Sequence, residues 1–144
     1  MNEDQIQFET HTHDGIDSMK ILQSSFVSVV LANTTPATAG NYGVFFIATR
    51  PCYVKSVYCS FTTAGSSTPT LQLERLTSGI APDSGSVLLE TAFDLALTAN
   101  VPQLGVLLKG TSTSLRAGDR LCLKDIGTLT AIAGLTVTAE IAFT

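Results

Sequence analysis

The C-terminal stretch Leu135–Phe143 alternates with a period of two: Leu, Val, Ala, Ile and Phe at odd positions, Thr, Thr, Glu and Ala between them. That period is the signature of a strand with one buried face. Leu135, Val137, Ala139, Ile141 and Phe143 are therefore expected to face a core, with Thr136, Thr138, Glu140 and Ala142 outward. Leu71 and Leu73 alternate with Gln72 and Glu74 in the same way, which predicts a strand over 70–76 with both polar side chains outward. Residues 26–31 and 42–48 are β-branched and aromatic runs; the second is expected to be a central strand, stopped by Pro51. Read as one regular strand, residues 53–62 put Tyr53, Lys55, Val57, Cys59 and Phe61 on one face and Val54, Ser56, Tyr58 and Ser60 on the other. Both faces are then partly apolar, as for an edge strand over a second layer or a neighbour. Residues 87–89, 106–108 and 121–124 are shorter strand candidates, and 93–100 fits either one helical turn or an extended crossing.

Turn-forming residues separate these runs at 33–41, 64–69, 79–85 and Gly118-Asp119. No helical periodicity of twelve residues is present. Seven or eight short strands with turns between them predict an all-β chain: an antiparallel β-sandwich, most simply a jelly roll. An immunoglobulin-type Greek key is the alternative, but its Cys–Trp–Cys core has no counterpart in a chain without Trp. Residues 1–20 are polar and carry almost no period. They read as an extended N-terminal arm, either disordered or ordered against a neighbour, before a β domain over 21–144.

Composition sharpens this picture. Charged residues are 14% of the 144, against roughly 25% in ordinary soluble domains. Thr, Ser, Ala and Gly fill the deficit, and such a body is expected to be sheltered in an assembly. The net charge of −4 argues against a nucleic-acid binder working by phosphate neutralisation. No apolar run approaches the ~18 residues of a spanning helix, so no membrane partner is expected. The polar, acidic start lacks a basic and then apolar leader, which points to synthesis and assembly in a reducing cytoplasm. Cys52, Cys59 and Cys122 are an odd set and read as small buried hydrophobes, with Cys52 and Cys59 on opposite faces of a regular strand.

Candidate chemistry is sparse. The histidines, His11 and His13, lie on the arm, where no rigid scaffold holds a catalytic base. Asp83, Glu90, Asp94, Asp119, Asp125 and Glu140 are scattered, and Asp119 reads as a turn former accepting a backbone N–H. Phosphate-binding glycine patterns and calcium loops are absent. No enzyme activity is expected. His11-Thr12-His13 is the one metal candidate. Imidazoles at i and i+2 point the same way in an extended segment. Two per chain are too few for a tight site, but three chains would bring six nitrogens, an octahedral set suited to Fe²⁺ or Ni²⁺. Asp14 is spaced to accept an imidazole N–H.

His11-Thr12-His13-Asp14-Gly15-Ile16-Asp17-Ser18 resembles the H-x-H-D-G-x-[ND]-S segment near the start of domains in virion proteins of tailed bacteriophages. The following domain resembles the small jelly-roll modules of their fibres, spikes and capsid decorations. The similar points are Val44-Phe45-Phe46-Ile47-Ala48, Gly118-Asp119-Arg120-Leu121 and the closing run Leu135–Phe143. The resemblance implies a homotrimer in the virion, assembled in the host cytoplasm, with capsid, neck or tail proteins as partners. It also implies iron or another transition metal on the threefold axis, with His11 and His13 as ligands. The chain has no long repetitive shaft, which favours a capsid decoration or a short head, neck or tail fibre module. The alternative is a carbohydrate or host-receptor-binding module that contacts a surface glycan through loops 33–41, 64–70 and 79–86.

Overall fold

The computed structural model describes residues 24–31, 44–127, 129 and 131–144. Among them are ten strands: β1 (Ser24–Leu31), β2 (Phe46–Ile47), β3 (Cys52–Ser60), β4 (Thr70–Leu76), β5 (Ser86–Val87), β6 (Phe93–Asp94), β7 (Gln103–Leu104), β8 (Ser114–Leu115), β9 (Arg120–Ile126) and β10 (Leu135–Phe143). They form two sheets. One runs β1-β10-β3-β7 with β8 also on β3; the other runs β2-β9-β4-β5 with β6 also on β4. Every strand pair is antiparallel. β10 pairs along one edge of β3, so β7 and β8 share its other edge and are one interrupted strand. β5 and β6 are the same on β4. The count then reduces to eight, and the pairings β1·β10, β2·β9, β3·β7/β8 and β4·β5/β6 are a long hairpin rolled across two layers. That is a jelly-roll sandwich.

The core lies between the sheets. Leu71 and Leu73 of β4, Leu121 and Leu123 of β9, and Leu135, Val137, Ala139 and Ile141 of β10 are all buried there, as their period predicts. Ala142, expected outward, is also buried. Residues 42–48 are not a central strand. Their described part enters the ladder only at Phe46–Ile47, on the rim of its sheet beside β9, with Ile47 exposed. An unbroken apolar run marks β structure but does not tell a central strand from a rim strand whose aromatics reach the core; Phe45 and Phe46 do so. Of 93–100, Phe93–Asp94 is extended and the rest turns.

Residues 103–108 change sheets. Gly105 N donates to Val57 O in the first sheet; Val106 O then accepts from Glu90 N, and Leu108 N donates to Leu88 O in the second. A Cβ on Gly105 would lie 2.8–2.9 Å from side-chain atoms of Leu89, Val57 and Phe93, so any larger residue would force these core side chains to shift where the backbone crosses. The strand expected at 106–108 is accordingly reduced to a single antiparallel bridge, Leu107 with Leu89, after the two-residue strand β7.

β3 departs from regularity in one place. Glu140 pairs with Ser56 and Ile141 with Val54, so Lys55 is an extra residue, a β-bulge. The bulge reverses the parity of the strand. Cys52 and Val54 before it, and Val57, Cys59 and Phe61 after it, all point into the same core. Cys52 and Cys59 are therefore not on opposite faces. Nor is β3 an edge strand: its mixed pattern comes from the change of phase.

Gln72 and Glu74 occupy the outer face of β4, as their parity requires, but neither meets solvent. The 77–85 segment folds over that face. Asp83 N and Gly85 N donate to the two Glu74 oxygens at 2.8 and 2.7 Å, and the Cys122 thiol donates to Oε2 at 3.2 Å. Arg120 Nη2 holds Thr77 O and Ile80 O, and Lys124 pairs with Asp83 at 2.9 Å. Gln72 accepts from and donates to the Leu89 backbone.

Candidate interaction surface

The outer face of the β1-β10-β3-β7 sheet has no such roof among the described residues. The register aligns Ser28, Thr138, Tyr58 and Leu104 in one row across all four strands, and Phe26, Glu140 and Ser56 in the next. Phe26, Tyr58 and Leu104 are 71, 47 and 59% exposed, large values for apolar and aromatic side chains on a sheet face; Tyr58 stands on the inner strand β3, Phe26 and Leu104 on the edge strands β1 and β7. Between them lie hydroxyls that satisfy one another: Ser28 Oγ and Thr138 Oγ1 are 2.7 Å apart. The two charges on the face neutralise each other. Lys55 Nζ donates to Glu140 Oε1 at 2.8 Å, and Ser56 Oγ donates to Oε2 at 3.2 Å. The lysine holds the Glu140 carboxyl below its ordinary value, with hydroxyls of Ser24 and Ser56 opposing the cost of burial. The same bond raises Lys55. The result is a flat, nearly uncharged face with three protruding apolar side chains, suited to covering by another protein surface with little charge desolvation.

The other predicted positions fall as follows. His11, His13 and Asp14, with the rest of the arm, lie outside the described residues, as do loop 33–41 and Tyr42. Loop 64–70 exposes Ser66, Ser67 and Thr68 while Pro69 is buried. Loop 79–86 supplies much of the roof over Glu74. The carboxylates are scattered and mostly tied to nearby groups: Asp119 Oδ2 accepts Arg116 N at 2.9 Å, the turn role expected of it, and Asp94 Oδ1 accepts Ala96 N. Among the described residues no three His, Cys, Asp or Glu side chains are grouped to hold a metal. The three cysteines are free and buried. Burial pushes the Cys59 thiol up to about 12, and burial with the Glu74 hydrogen bond does the same for Cys122. Neither is a nucleophile at neutral pH.

Sequence reasoning missed Glu74 and Arg75. Period two gives the side of a sheet, not what covers it. The available signal was a charged pair set mid-strand in an otherwise apolar run.

Strand order defines the class, a jelly-roll sandwich, and among the described residues the outer face of the β1-β10-β3-β7 sheet is uncovered. No protein-family model matches the chain, and no curated protein does. Among solved structures, the chain is similar to one in the structure titled "Cyanophage Pam1 capsid asymmetric unit", at 16% identity over 85% of this chain and 86% of that chain, with a TM-score of 0.48.

Proposed function

We propose that this protein is a non-enzymatic structural component of a bacteriophage virion: a homotrimeric capsid decoration or short head, neck or tail fibre module. Residues 1–20 attach it to other virion proteins, and the jelly roll packs against its own copies. The observation that supports this best is the open face of the β1-β10-β3-β7 sheet. Phe26, Tyr58 and Leu104 protrude there from a hydroxyl-covered surface whose one Lys and one Glu cancel. The arm motif His11-Thr12-His13-Asp14-Gly15 supports the virion assignment. In a trimer the six imidazoles of His11 and His13 hold iron or a similar transition ion on the axis.

Sedimentation equilibrium of the full chain tests the assembly. A three-chain mass that falls to a one-chain mass in Tyr58→Glu supports it; a single-chain mass for the unaltered protein at tens of micromolar overturns it. Metal analysis of the same sample tests the axis: metal at one ion per three chains, lost in a His11→Ala, His13→Ala double variant, is expected. Removal of residues 1–20 is expected to abolish co-sedimentation with phage particles while near-native circular dichroism is retained.

A further inference from the structure

One cleft lies away from the open face, at the end of the sandwich where the two sheets part. It is lined by Arg75 near the end of β4 and by Thr77 and Ser78 after it, and by Ser114, Arg116 and Asp119 of the segment from β8 to β9. Its volume is about 680 Å³, within the range of small-molecule sites and far beyond a single inorganic ion.

The walls are fixed before any ligand arrives. Arg75 shares the inner parity of Leu71 and Leu73, and its Nη1 crosses to the opposite sheet to donate to Ser114 O at 2.8 Å. Arg120 Nη2 pins the 77–80 wall through Thr77 O and Ile80 O. The 116–119 turn is closed by Asp119 N to Arg116 O, Arg116 N to Asp119 Oδ2, and Gly118 N to Ala48 O. Such preorganisation lowers the ordering cost of binding. Arg75 Nε is buried without a hydrogen-bond partner among the described residues, so it is the remaining edge of the guanidinium, as a lining group, that a ligand in the cleft would meet.

The chemistry of the lining is specific. Two guanidinium groups against one carboxylate leave a local excess of one positive charge, in a chain whose net charge is −4. Planar guanidinium forks recognise oxyanions. Around them stand three hydroxyls and no aromatic side chain. An apolar or peptide ligand would find little to bury; a ring bearing hydroxyls and one acid group would find a partner for each.

We propose that this cleft binds an acidic monosaccharide, a uronic-acid-like ring whose carboxylate meets Arg116 and Arg75 and whose hydroxyls meet Thr77, Ser78 and Ser114. The site belongs to a single chain and stands whether or not the protein is a virion component. It is distinct from loops 33–41 and 64–70 and adjoins 79–86, the three loops through which the alternative reading of the sequence places a glycan contact.

Titration of the full-length protein with glucuronate, glucose and inorganic phosphate, followed by backbone amide NMR, tests it. Glucuronate is expected to shift the Thr77, Ser78 and Arg116 amides saturably, with glucose and phosphate each at least tenfold weaker. Arg116→Gln removes only an exposed side chain, since the turn is held by its backbone N–H, and is expected to weaken glucuronate about tenfold; Lys55→Gln on the far face leaves it unchanged. Equal affinity for phosphate and glucuronate overturns the sugar assignment. Equal affinity for glucose and glucuronate, or an unchanged Arg116→Gln, overturns the site.

Discussion

The two sheets of this sandwich have the same inner faces and opposite outer ones. The β2-β9-β4-β5 sheet closes its exterior with its own chain: the 77–85 segment lies over Glu74 and Cys122 and is tied down by carboxylate, guanidinium and ammonium groups. The β1-β10-β3-β7 sheet leaves Phe26, Tyr58 and Leu104 in solvent and spends its one ion pair on self-neutralisation. Charge on the first face fixes the chain to itself. Absence of net charge on the second leaves it ready for something else.

The largest expected effect comes from opening the roof. Glu74→Ala leaves two backbone N–H groups and a thiol without their acceptor, and should cost about 3 kcal/mol of folding stability in urea. Cys122 should then react with a thiol reagent under native conditions, while Cys59 stays inert. A loss below about 1 kcal/mol would erase the difference between the faces.

On the open side the converse is expected. Phe26→Asp should change the stability of the isolated fold by no more than about 0.5 kcal/mol, yet weaken self-association more than about tenfold, or 1.4 kcal/mol, by sedimentation. A large stability loss with unchanged association would mean that this face is not an interface.

One carboxyl on each sheet is shifted, and the two shifts have opposite sign. Burial raises the Asp125 carboxyl on β9, so its contribution favours folding below the unfolded value and is lost as pH rises through the folded one. Asp125→Asn should gain on the unaltered protein as pH rises from 3 to 7. The Lys55 bond lowers Glu140 on β10; its contribution is present above the unfolded value and lost as pH falls through the folded one. Glu140→Gln should lose ground over the same interval. Denaturant midpoints along the pH axis read both. The smallest effect is assigned to Lys124→Ala, which removes the pair with Asp83 at the surface and should cost under about 1 kcal/mol.

How legible this was in the sequence depended on what each residue had to report. The inner faces of β4 and β10 were readable because one face of each is core and period two records that, while the burial of Ala142, Gln72 and Glu74 on the other parity was not. β3 was not, because one extra residue reverses its parity while the composition stays strand-like. Glu74 was misjudged because alternation carries no information about a loop that returns nine to eleven residues later to cover it. The cleft around Arg75 joins segments nearly forty residues apart, and no local pattern announces such a meeting. Asp119 was legible because its partner is three residues away. His11 and His13 lie outside the described residues, and their place still rests on the motif.

The bulge has a consequence beyond parity. Lys55 is the inserted residue, and Glu140 is the partner residue at which the register jumps. Their 2.8 Å pair forms only when these two strands meet with the jump in that one place. A slide of β10 by one residue would part the pair and turn Ile141 and Ala139 to water. An exposed ion pair adds little to stability. Here it acts as an index mark on the one alignment that also keeps Ala139 and Ile141 in the core.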